Sequence, residues 1–304
     1  MTPFRIGKAA PANTFLAIWM AHEAGFYEAN GLASEIVAMV GGREAGPTLT
    51  EGRIQLMHIG MSSVVRANLA GHHLVAVGSL SNVIRCSLFT AADVTTPAQL
   101  KGGIVGISST GSESDATTTL ALGRLGLSRD DITIQEAGVE RFSHLRDGTI
   151  AAAMLDEPLR SEALGAGLNM IADFFSEKVP WLYSGLVVHR PYLADHRDEV
   201  AAFLKATIEG NHLAMTDEPR AKAILARELP LLADPDHLER SYANFKALTP
   251  PFAEIDLAGA QNIIDTLPPP SPANKVENYV DTTVLDALRD EGFFNATKKR
   301  YEEC

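Results

Sequence analysis

The sequence predicts an α/β protein of two similar lobes, each a mostly parallel sheet flanked by helices, with further helices packed on the first lobe. Three observations predict it. One pattern occurs twice: Leu49, Gly52 and Ile54 in LTEGRIQLMHIG recur at identical spacing as Leu145, Gly148 and Ile150 in LRDGTIAAAMLD. Each copy follows the same succession of a strand-like run (FRIGKA or GIVGIS), a helix-like run closing in Gly31-Leu32 or Gly126-Leu127, and a second strand-like run (SEIVAMV or DITIQEA). After Asp195 the strand-like runs stop. Alternating strands and helices build parallel sheets covered on both faces, whereas helix bundles and solenoids need many more, shorter repeats.

Taken in order, a strand over 4–9 ends at Pro11, which cannot extend a ladder. Asn13 is an N-cap type residue for a long helix. Phe15, Ile18, Trp19, His22 and Phe26 share one face of that helix, and Gly31 stops it. A strand over 35–40 leads into Gly41-Gly42 and a helix through Leu49. The strand over 54–59 reaches Gly60, and Ser62-Ser63 opens a helix to Ala70. Strands follow over 74–80 and 86–90. In the second half the strands fall at 104–108, 132–137, 151–156 and 169–171, with helices over 113–125 and around Phe142 and Leu145. The run 184–188 returns as a strand, and helical runs cover 200–208, 220–227, 238–248 and 282–289, the last of these read as the final helix. Leu267-Pro268-Pro269-Pro270 is a loop. This divides the chain into lobe one, 1–90 plus 185–304, and lobe two, 91–184, with hinge crossings near 88–93 and 179–186.

The bulk composition narrows the function classes. The 304 residues are 46% hydrophobic and 21% charged, the makeup of a folded globular chain. A net charge of −12 without a basic cluster excludes nucleic acid as a partner. No apolar run is long enough to span a membrane. Cys86 and Cys304 cannot form a disulfide framework. MTPFRIGKAA lacks a basic stretch followed by an apolar core, so the expected location is periplasmic if a leader was trimmed and cytoplasmic if Met1 is the true start. No HExxH, CxxC pair, Walker loop or GxGxxG occurs, and neither a cofactor nor a metal is expected. His22 and His58 read as hydrogen-bonded histidines of apolar faces, His72-His73 as a turn, and Cys86 as a small hydrophobe.

Ligands of open α/β sheets bind outside the carboxyl ends of the strands, so the loops at those ends supply the candidate ligand-binding residues. Ser109, Thr110, Gly111 and Ser112 join a strand to a helix, where backbone N–H groups favour an anion; capping by Thr110 or Ser112 is the competing reading. Asn13 and Thr14 hold the matching place in lobe one, as do Ser62 and Ser63 after the strand over 54–59. Gly42 lets backbone approach a ligand, and Arg43 could grip a carboxylate or sulfonate in bidentate fashion, or sit on a solvated helix face. Arg85, near the outgoing crossing, is the rival cation. Glu157 could accept from a ligand N–H or serve the hinge. Tyr183, with Trp181, borders the return crossing and could stack on a flat ligand or pack against the hinge.

The run LAIWMAHEAGFYEANGL followed by GGREAGPTLTEGRIQLMHIG resembles the start of the solute-binding proteins for nitrate, sulfonates, taurine and thiamine precursors. LKGGIVGISSTGSESD with LGRLGL is similar to the opening of their second lobe, LRDGTIAAAMLDEP to its close, and VENYVDTTVLDALRDEGFF to their C-terminal helix. The resemblance covers most of the chain. It implies the two-lobed periplasmic-binding-protein fold, type II-like, with a hinged cleft. It further implies a monomer that captures a small anionic or heteroaromatic solute and delivers it to the permease of an ABC importer. Enzymes of chorismate dehydration and pyrimidine synthesis resemble the same fold. A catalytic alternative, acting on a small carboxylate or pyrimidine-type substrate, would therefore draw its acid or base from His58, Glu113, Asp115 or Glu157.

Overall fold

A computed structural model describes residues 3–9, 12–39, 42–266 and 275–302. Pro11, Gly41 and the Leu267–Pro270 run lie outside them. The described strands form two five-stranded sheets, and each builds the same pattern. With strands numbered along the chain, the first sheet runs β2 (Ser34–Ala38), β1 (Phe4–Lys8), β3 (Leu56–Ile59), β10 (Pro180–His189), β4 (Leu74–Val83). The second runs β7 (Thr133–Glu136), β6 (Ile104–Ile107), β8 (Ala152–Asp156), β5 (Cys86–Thr90), β9 (Asn169–Ala172). In each, three neighbouring strands pair in parallel and the fourth is antiparallel to both strands beside it.

The duplicated sequence pattern is a duplicated piece of geometry. Gly52 at φ +68° and Gly148 at φ +73° end their helices in the left-handed region, where a side chain is strained. Each donates to the carbonyl of the repeat leucine, Leu49 or Leu145, at 3.2 Å. Ile54 and Ile150 then turn inward, 3% and 1% exposed, onto glycines of the neighbouring strand. A Cβ on Gly7 would come within 2.9 Å of the Ile54 Cδ1, and one on Gly106 within 2.5 Å of the Ile150 Cδ1. The next amides dock on the neighbouring strands alike, Gln55 on the Arg5 carbonyl at 3.0 Å and Ala151 on the Ile104 carbonyl at 2.7 Å.

The outgoing crossing lies earlier than the sequence placed it, and the return crossing falls at the very start of the expected 179–186. Cys86–Thr90 belongs to the second sheet, paired with β8 and β9, so the chain leaves the first lobe at Ile84-Arg85 rather than near 88–93. It returns before Pro180, because Pro180–Ser184 is already part of β10 in the first sheet. The physical reason is that Cys86–Thr90 is buried along its whole length; a strand buried on both faces carries no alternation to show which sheet it enters. The two crossings touch, with the Ile84 N–H donating to the Val179 carbonyl at 3.0 Å.

Two further expectations need correction. The helix after β1 is not one long helix capped by Asn13. It begins as a 3₁₀ turn over Asn13–Phe15, continues as Leu16–Glu23, and breaks at Gly25 before a short turn over Phe26–Ala29. Ala12 holds the capping position, and no side chain caps there. Nor is the helix over Thr283–Asp290 the last; Phe293–Glu302 follows it.

The C-terminal helices pack on lobe one as expected. Arg197–Thr216 lies so close to Leu16–Glu23 that a Cβ on Gly210 would run into the Ala17 carbonyl and the Ala21 amide. Phe203 stacks between Phe4 and Tyr27 at centroid distances of 5.6 and 5.5 Å. The chain later returns to the sheet, where the Ala76 N–H donates to the Tyr279 carbonyl at 2.8 Å, covering part of the β4 edge.

Candidate functional site

The rims carrying the βα loops of the two sheets meet. From the second lobe, the Glu113 carboxylate, in the first turn of the Glu113–Arg124 helix, reaches the N-terminus of the Met61–Leu69 helix of the first. Its Oε1 accepts from the Ser62 N–H at 2.7 Å and its Oε2 from the Trp181 Nε1–H at 2.6 Å. The carboxylate fits because residue 60 is glycine; a Cβ there would overlap the Glu113 side chain. Burial pushes this carboxyl up to about 7, against the lowering pull of Trp181 and Ser62. Further out, Arg43 pairs with Glu136 across the mouth at 2.9 Å, both half exposed. The Arg66 guanidinium lies against Gly111 and donates to the Gly42 carbonyl at 3.2 Å.

At the hinge end sits Arg85, in the outgoing crossing and only 5% exposed. Its Nη2 donates to the Asn13 Oδ1 at 3.2 Å, while its buried Nη1 has no hydrogen-bond partner in the protein. A guanidinium desolvated in this way loses part of its preference for charge: burial brings Arg85 down to about 10, and nearby Asp156 pulls it back up. Asp156, at the end of β8, is itself raised by burial, with Arg141 and then Arg85 opposing. Arg85, Asp156, Asn13, Glu157, Phe175 and Asn244 line a small cavity of about 10 Å³, room for about one water molecule.

The structure distributes the sequence candidates over three roles. Gly42, Arg43, Ser62 and the Ser109–Ser112 turn meet at the interlobe rim, and the donors there hold the protein's own carboxylates. The Thr110 N–H donates to Glu136 at 2.8 Å and the Gly111 N–H to Asp115 at 2.8 Å. Ser112 caps its helix, accepting from the Asp115 N–H at 3.4 Å. Asn13 and Arg85 line the hinge cavity with Glu157, whose Oε2 is taken by the Ser161 hydroxyl at 2.7 Å and whose Oε1 lies 3.5 Å from Arg160. Thr14 turns inward, bonded to His58 at 3.2 Å and to the Ser184 hydroxyl at 3.1 Å. Ser63 is buried against Gly42. The Tyr183 hydroxyl is raised by burial beside Cys86 and Asp156. Among the residues named for a catalytic alternative, burial holds His58 neutral, at about 4, and Asp115 pairs with Arg129 at 2.5 Å.

Sequence reasoning missed Asp156, Asn244, Glu136 and Arg141 as neighbours of the site, and weighed Glu113 only as a catalytic group. Asp156 could have been found, since it ends a strand at the rim. Asn244 carries no sequence signal; it reaches the cavity from a helix of the C-terminal region.

Two matching sheets, joined by paired crossings and meeting rim to rim, define the two-lobed periplasmic-binding-protein fold. Solved structures share it. A protein from Bordetella bronchiseptica RB50 superposes with a TM-score of 0.80 at 17% identity, over 96% of this chain and 98% of that one. The periplasmic aliphatic sulphonate binding protein SsuA from Escherichia coli gives 0.68 at 22%, over 82% and 84%. The alkanesulfonate-binding protein SsuA from Xanthomonas axonopodis pv. citri, bound to MOPS, gives 0.70 at 21%, over 87% and 92%. The chain belongs to the NMT1/THI5-like family, whose pattern matches residues 12–221. A comparison with curated protein sequences finds no match.

Proposed function

We propose that this protein is a solute-binding protein that captures a small organic solute, anionic or heteroaromatic, between its lobes and passes it to the permease of an ABC importer on the periplasmic side. The observation that carries the reading is Arg85. A buried guanidinium beside the crossings, with an Nη1 lacking a protein partner, belongs to a residue that lines a cavity shared by both lobes and offers a donor to a guest oxygen once the lobes part. Burying such a donor unpaired costs about 1–3 kcal/mol, which a bound acceptor recovers. A guest touching both lobes binds the closed form better than the open one, the condition for ligand-driven closure. The fold neighbours whose names give a ligand, sulphonate-binding SsuA among them, support the same class.

The test is a panel of sulfonates, carboxylates and pyrimidines scored by thermal midpoint and by small-angle scattering. A true solute at about a hundredfold excess over its Kd stabilises the protein by about 2.7 kcal/mol, compacts it and is recovered unchanged. Arg85→Met is expected to abolish both responses for an anionic solute. A panel with neither stabilisation nor compaction counts against the reading, and chemical conversion of a bound compound replaces it with the catalytic one.

A further inference from the structure

A helix N-terminus that faces a cleft is an obvious anion seat, yet in this protein the seat on the Met61–Leu69 helix is filled by the protein itself. The Glu113 carboxylate arrives from the opposite lobe, takes the Ser62 N–H with one oxygen and the Trp181 indole N–H with the other, and lies over Gly60 where any side chain would exclude it. Both of its oxygens are committed. The remaining charges at the rims can be followed pair by pair. Arg43 is matched by Glu136 and Asp115 by Arg129, while Arg160 is shared by Glu157 and Asp173. Asp156 faces both Arg141 and Arg85. That leaves Arg66 and one of those two guanidiniums against Glu113 and the second carboxylate on Arg160: with every group ionised, the six guanidiniums and six carboxylates balance, and no surplus charge awaits a second guest anion. The unpartnered donors show where a guest anion could be held. Arg85 Nη1, Arg66 Nε and Arg141 Nε are all buried without a hydrogen-bond acceptor.

We propose that Glu113 is a specificity-determining residue: its carboxylate is a resident anion that closes off the Ser62 donor and limits the guest to one negative charge, held at the Arg85 end of the cleft. This rests on the solute-binding reading and deepens it. A second anionic group on the guest would have to displace Glu113 from its two donors or lie beside it, and like charges at close range in a desolvated site repel strongly. Removing the Glu113 charge lifts this repulsion and leaves one guanidinium charge uncompensated, and Glu113→Ala also empties the seat.

The experiment uses matched probes of one and two charges, ethanesulfonate with 1,2-ethanedisulfonate and propionate with succinate, titrated calorimetrically into the full chain at about pH 8.5, above the range in which Glu113 takes up its proton. In the wild type the monoanion of each binding pair is expected to bind tighter. In Glu113→Gln the ratio moves toward the dianion by about tenfold or more, equivalent to about 1.4 kcal/mol. Glu113→Ala carries the same expectation should the glutamine variant fail to fold. Glu113→Asp, which keeps the charge, stays near the wild-type ratio. Glu136→Gln makes the same change of charge at the exposed mouth and is expected to move the ratio less than about twofold, because solvent screens it. A ratio unchanged in Glu113→Gln and Glu113→Ala, or a wild type that prefers the dianion, overturns the proposal while leaving solute binding intact. Probes that bind none of these proteins overturn the proposal, and the solute-binding reading is then judged by the wider panel.

Discussion

Replacing Glu113 by glutamine removes one titration and keeps the shape of the side chain. Burial raises this carboxyl from an ordinary 4.5 to about 7. A carboxyl whose native pKa lies above its unfolded value holds its proton more tightly when folded. Its contribution to stability is therefore complete below about pH 4.5 and is lost as pH rises through about 7. At about 1.4 kcal/mol per unit the interval is worth about 3 kcal/mol, most of it expressed between about pH 5 and about pH 8.5. Glutamine has no such slope. Its amide nitrogen instead sets a donor against either Ser62 or Trp181, a pH-independent cost of about 1–3 kcal/mol. The assay is urea unfolding of both proteins at the two pH values, where titrations elsewhere cancel in the difference. The advantage of wild type over Glu113→Gln is expected to shrink by about 2–3 kcal/mol from the lower pH to the higher. Profiles that run parallel to within about 0.5 kcal/mol would refute the argument that this carboxyl is desolvated between the lobes.

Three further outcomes follow from the packing. Gly52→Ala and Gly148→Ala have open space around the added methyl and differ from wild type in backbone strain alone, so each should cost about 1–2 kcal/mol, and similar amounts, in chemical denaturation. Gly210→Ala forces a methyl against the Ala17 carbonyl and Ala21 amide; a loss of about 1–3 kcal/mol is expected, and a neutral result would mean that the two helices can separate freely. Cys86 is buried, with its thiol pushed up to about 12, so a thiol reagent should modify it only after unfolding; modification of the native protein at the rate of a free thiol would contradict its burial.

What the sequence disclosed divides along the range of the interactions. Gly52 and Gly148 were legible because a left-handed helix stop is a local demand answered by one residue type, and its repetition exposed the duplicated lobes. The loops at the strand ends were legible for the same reason: a turn between strand and helix reveals itself by Ser, Thr and Gly, as at Ser109–Ser112. The destinations of the strands were not. Cys86–Thr90 is buried on both faces, and only its partners β8 and β9 reveal its sheet. Glu113 looked like an ordinary first-turn acid, since nothing near it announces Trp181 or Gly60. Arg43 was read for its charge, but its geometry depends on Glu136 in the other lobe. Functional readings that rest on a pairing between distant segments were closed to the sequence, and the hinge cavity is made of such pairings.

The adjacency of Ile84 and Val179 has a consequence for biogenesis. All five strands of the second sheet lie between these two positions, whereas the first sheet stays incomplete until β10, beyond residue 179, has been made. As the nascent polypeptide leaves the ribosome, the inserted lobe is thus expected to mature first, while the segment synthesised earliest waits for its missing central strand. Truncations between residues 180 and 189 should accordingly leave a protease-resistant insert tethered to an unstructured amino-terminal portion.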